Sequence, residues 1–191
     1  MDADSKKQKQ QKKKGKQEKS TGRWAVQVFF IAVVLSAALS LASDQALDGA
    51  GLAVAFVVLL SFILLGIVFD IIGVSVTAAD EKPFHSMAAR KTPGAREALN
   101  LIRKADKVSS FCNDVVGDIC GIISGSTAAI IVTRLQQALN LRSVAISLAI
   151  TALVSGLTIG GKAIGKTFAI DKSTAVLQIV GRIMCVFSRK K

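Results

Sequence analysis

The chain has 191 residues, 51% of them hydrophobic, with a mean hydropathy of +0.48 and a formal net charge of +12. Those totals would suit a rich soluble core, but the apolar residues come in long blocks with the charges between them, and that segregation excludes a soluble catalytic domain. The basic excess does not point to nucleic acid, because residues 1–23 hold nine Lys or Arg and no aromatic side chain on which a base could stack.

Residues 1–23 are Lys/Gln-rich and low in complexity, which predicts a disordered basic tail attracted to anionic lipid headgroups. Residues 24–43 carry no charge for twenty positions. A helix needs about 20 apolar residues to cross a bilayer, and Arg23-Trp24 stands where an interface should lie. The leader before this block is too long for a cleaved signal, so it reads as a retained span. Residues 49–69 form a second uncharged block, with helix continuing to about 74 and including Asp70.

A polar segment follows at 80–107. Pro83 can start a short helix, Thr92-Pro93-Gly94 breaks it, and a second helix sets Ala98, Leu99 and Ile102 on one face. The third block, 108–133, is apolar apart from Asn113, Asp114 and Asp118. The fourth, 143–161, extends to about 165 and is richer in small residues. The tail 172–191 carries Ala175, Val176, Ile179, Val180, Ile183, Met184 and Phe187 as one stripe, with Lys172, Gln178, Arg182 and Arg189 off it. Too short to span, it reads as an amphipathic interfacial helix. The fold class is therefore all-α and membrane-integral, with about four spans.

Charge sets the expected topology. The segments 1–23, 80–107 and Lys166 onward hold 22 basic residues, whereas the opposite loops offer only Arg134 and Arg142. The positive-inside rule puts both termini in the cytoplasm, with the plasma membrane as the expected site.

Gly117, Gly121 and Gly125 recur every fourth residue in the third block, and Gly161 and Gly165 repeat the spacing in the fourth. Such spacing favours close helix packing, within one chain or between chains. Cys112, Cys120 and Cys185 lack metal or redox spacing and read as small buried thiols, and His85 as a surface histidine.

Ionisable residues inside spans are costly and usually mark a pathway or a pair. Asp70, Asn113, Asp114, Asp118 and Lys162 all fall toward the 80–107 side. With Ser75 or Thr77 they could offer the oxygen ligands that Mg²⁺ prefers. Alternatively, Lys162 pairs with an intramembrane carboxylate: with Asp114 or Asp118 it would tie the third and fourth spans together, and Asp70 belongs to the same expected ion-pair set, although Asp70 and Lys162 also lie within reach of the interface. No nucleophile–base pair or catalytic metal motif suggests an enzyme, and no firmly bound cofactor is expected.

Three stretches resemble the transmembrane domain of the CorB/CorC/cyclin-M magnesium and cobalt transporters. Lys91-Thr-Pro-Gly94-Ala95-Arg-Glu-Ala98-Leu99-Asn-Leu101-Ile102 looks like that family's cytoplasmic helix. Ser109-Ser-Phe-Cys-Asn113-Asp-Val-Val is similar to the start of its second span, where an Asn contributes to the ion site. Gly161-Lys162-Ala-Ile-Gly165-Lys166-Thr167-Phe-Ala169 resembles its G-E-x-x-P-K-x-x-A motif, with Lys162 in place of Glu and Gly165 in place of Pro. The resemblance covers about residues 50–188. It implies a three-helix domain at 49–171, with the first span as an addition and the soluble nucleotide-sensing domains missing after the tail helix. It also implies a homodimer and divalent cation movement, Asn113, Asp114, Asp118 and Ser75 supplying site oxygens for Mg²⁺ or Co²⁺. The rival expectation is a scaffold or accessory subunit in which Lys162 is a permanent tie to an intramembrane carboxylate such as Asp118.

Overall fold

The computed structural model describes residues 2–139 and 144–188, with side chains described for 24–138 and 144–186. Among the described residues there are α-helices, one π-helical segment and no strand. Arg142, Arg189 and the side chain of Phe187, used in the topology and tail readings, lie outside the described residues.

Four helical stretches are long and apolar enough to cross a membrane. The first is Trp24–Leu47, the apolar part of α1 (Asp2–Leu47). The second is α2 (Leu52–Ala78) and the fourth α7 (Val144–Asp171). The third, Ala105–Ala138, is composite: α5 (Ala105–Ser110), a π-helical segment (Phe111–Gly117) and α6 (Asp118–Leu139). Each stretch outruns the uncharged block that announces it. A helix does not stop where apolar residues stop; it continues while its backbone N–H and C=O groups keep their i→i−4 partners.

The chain divides into two compact units, Met1–Ala38 and Leu39–Lys191. The first is helix alone. Its residues 2–23 are helical where composition suggests disorder, and Lys, Gln and Glu are indeed good helix formers. Val26, Phe29, Phe30, Ile31, Val33 and Val34 are exposed, the arrangement expected of a helix whose solvent is lipid.

In the second unit the third span is the most enclosed. Of its most apolar eighteen residues 61% are buried, against 22% in α2 and none in α7. At one end, Leu47, Ala55, Leu59, Ile63, Ala128 and Ile131 form a continuous core between the end of α1, α2 and α6. Arg134 closes this end by donating to the carbonyls of Leu47 (2.8 Å), the last residue of α1, and Ala50 (2.5 Å), in the turn that follows it. The turn between them reverses at Gly49, where φ is +65°.

At the other end α2 stops at extended Ala79, and Asp80 caps α3 (Glu81–Ala89) by accepting from the Lys82 N–H at 3.1 Å. Here α3, α4 (Ala95–Ile102) and α8 (Ser173–Ser188) gather under the bundle. Phe84, Val76, Ala98, Leu99 and Leu177 form their shared core. Helix α8 crosses α4 with backbone against backbone: a Cβ on Gly94 would overlap the main chain of Gly181 and Arg182. Gly94 also holds φ +85° as the N-cap of α4, so two constraints select glycine at one position.

Candidate functional site: an internal cation between three helices

The polar layer lies between α2, the π-helical segment and α7. Lys162 on α7 sets its Nζ 3.2 Å from Asp70 Oδ2 on α2 and donates to the Gly117 carbonyl at 3.4 Å. The side chain of Asp70 is 5% exposed and that of Lys162 23%, so the carboxylate is the enclosed partner and the ammonium enters from the rim. Asp70 stands eight residues before the end of α2, and Lys162 nine before the end of α7. At ~1.5 Å per residue both lie roughly 12–14 Å inside the bundle, too deep for an unpaired charge to be cheap.

Gly117 makes the pairing possible. A Cβ there would sit 2.7 Å from Asp70 Oδ1 and 3.4 Å from Lys162 Nζ. The third span is π-helical from Phe111 to Gly117, a geometry that recurs at functional sites because the wider turn redirects carbonyls and side chains. Sequence reading missed this segment. Nothing in the run Phe-Cys-Asn-Asp-Val-Val-Gly marks a change of helical pitch, because no residue type specifies it.

One turn along α2, Asn113 packs its amide on Gly73, whose hydrogen leaves the only room available there. Asn113 Nδ2 donates to Ser109 Oγ at 3.2 Å, but its Oδ1 is buried without a hydrogen-bond partner. Ser75, fully buried, gives its hydroxyl proton to the Ala169 carbonyl at 3.2 Å and so ties α2 to α7.

The expected residues thus separate into groups. Lys162 pairs with Asp70 rather than with Asp114 or Asp118, both of which are exposed on the outer side of the third span. Asn113 borders the layer and Ser75 lies beyond it, committed to Ala169. The structure therefore does not bring Asn113, Asp114, Asp118 and Ser75 together as one oxygen cage. The reason is angular: four-residue spacing puts Asp114 and Asp118 on one face, but that face looks away from α2 and α7. Among the described residues no group of three or more His, Cys, Asp or Glu converges as a metal site.

The glycines divide in the same way. Gly117, Gly161 and Gly165 face other helices of the chain, the last two against Ile67 and Ile71. Gly121 and Gly125 face open space.

Chemically the arrangement resembles a cation site filled by a side chain, with one carboxylate and one main-chain carbonyl on an ammonium. Comparison of the chain with family models, curated proteins and solved structures finds no match.

Proposed function

We propose that this chain is a multi-pass membrane protein whose polar layer is closed by its own cation, and that it acts as a non-transporting scaffold or accessory subunit. The observation that carries this reading is the Lys162–Asp70 pair at 3.2 Å, reinforced by the Gly117 carbonyl. A tethered ammonium neutralises the enclosed carboxylate and leaves a mobile ion little electrostatic reason to enter. In the CorB/CorC resemblance, Lys162 stands where that family's motif carries an acidic residue, which supports a layer closed rather than open to a cation. The positive-inside count supports cytoplasmic termini, a cytoplasmic α3–α4 hairpin and an interfacial α8 in the plasma membrane.

Exposed Asp114 and Asp118 and the open positions at Gly121 and Gly125 support a homodimer through the third span, since carboxylates facing lipid are expensive. Substituting Val at Gly121 and Gly125 should then break the dimer without lowering the melting temperature of the monomer. A dimer that survives both changes argues for another interface.

A second reading is divalent cation movement, with Lys162 displaced during turnover. It is favoured by the buried, unpartnered Oδ1 of Asn113, an oxygen still open to a ligand. Flux of Mg²⁺ into vesicles containing an indicator dye separates the two. The scaffold reading expects no uptake above protein-free vesicles. Uptake by wild type that disappears in Asp70→Asn overturns it in favour of transport.

A further inference from the structure

We infer that the cleft between the α3–α4 turn and the end of α8 is a binding site for the phosphate headgroup of an anionic lipid. The cleft measures about 290 Å³ and is bordered by Lys91, Thr92, Arg96, Glu97 and Cys185. That is slightly below the ~300–1,000 Å³ of typical small-molecule sites, a size for a headgroup rather than for a nucleotide. Two of these residues are basic and one acidic. Lys91 and Arg96 are exposed and have no ion-pair partner among the described residues. Thr92 adds a hydroxyl donor, so a cation, a guanidinium and a hydroxyl border the same opening, as phosphate recognition requires.

The backbone at Lys91 is unusual. Helix α3 ends with the Lys91 N–H on the Ala88 carbonyl and the Thr92 N–H on the Met87 carbonyl, both at 3.0 Å. This is a Schellman ending, in which the left-handed residue is ordinarily glycine. Here Lys91 takes it, at φ +55°. A side chain is thus held at a position where local stability alone would favour having none, and that side chain borders the cleft.

Position relative to the bilayer selects lipid over free phosphate. Helix α8 has sixteen residues, too few to span, and exposes Ile179, Ile183, Met184 and Val186. A helix with such a face lies with it in the headgroup–acyl boundary. Cys185, in register with buried Leu177 and Gly181 on the side of α8 that packs against α4, borders the cleft, so the cleft lies beside the helix that this face would hold at the interface. The inference rests on the membrane reading of the apolar helices and is independent of whether the protein transports anything.

The test uses the full chain in nanodiscs of phosphatidylcholine, with and without phosphatidylglycerol, and follows alkylation of Cys185 by a maleimide dye. Cys112 and Cys120 are buried, which leaves Cys185 as the accessible thiol. Stable incorporation into pure phosphatidylcholine discs checks the membrane reading separately. Phosphatidylglycerol should slow labelling of wild type, and Lys91→Gly and Arg96→Gln should each raise the lipid concentration needed by about fivefold. Lys91→Gly relaxes the backbone, so its melting temperature should hold or rise and a folding defect cannot mimic loss of binding. Equal protection in the variants, no protection by phosphatidylglycerol, or equal protection by millimolar inorganic phosphate overturns the proposal.

Discussion

Replacing Lys162 with Met keeps most of the side-chain volume and removes the charge, leaving the Asp70 carboxylate, 5% exposed, without a cation. Breaking a buried pair by removing one partner costs about 3–5 kcal/mol. For a chain of this size 1 kcal/mol corresponds to roughly 2–4 °C, so the variant should melt about 6–20 °C below wild type. Asp70→Asn should cost less, because Lys162 is 23% exposed and can turn its ammonium toward the rim. The double variant should regain much of the loss, with a coupling of roughly 2–3 kcal/mol, since an apolar pair of similar volume often replaces a buried ion pair without penalty. Melting in one detergent, followed by tryptophan fluorescence or light scattering, measures all four corners of this cycle. A Lys162→Met melt within ~2 °C of wild type, or strictly additive losses, would refute the tie as a source of stability.

Three further outcomes follow from contacts elsewhere. Gly117→Ala places a methyl 2.7 Å from Asp70 Oδ1 and should cost about 1–3 kcal/mol through displacement of the pair, most of it absent when Asp70 is already Ala. Arg134→Gln removes the clasp on the Leu47 and Ala50 carbonyls and should cost about 2 kcal/mol while making the 48–51 turn easier to cleave with protease. Phe84, fully buried among Val76, Ala98, Leu99 and Leu177, should lose about 3–5 kcal/mol on truncation to Ala. Unchanged melting in that last variant would mean that α3 and α8 do not share a core.

The all-helical class and the four apolar stretches were legible in the sequence. Hydropathy is a local property, and a membrane-crossing helix needs little else to declare itself. The identity of the residues in the polar layer was legible for a related reason: a charge in an apolar run stands out. Which residue meets which was not. Lys162 had carboxylates available on two other helices, and the choice of Asp70 over Asp114 and Asp118 depends on how α2, α7 and the third span are rotated about their axes. The π-helical segment changes that rotation within the third span, and no residue type announces it. The glycines teach the same lesson: identical four-residue spacing puts Gly117 against Asp70 and leaves Gly121 and Gly125 facing open space. Sequence determined that this chain is built of membrane-length helices with a charged layer near one end. Only the tertiary structure decided that the cation of this layer meets Asp70 and the Gly117 carbonyl, because partner choice is set by helix phase and close approach, which the order of residues along one helix does not record.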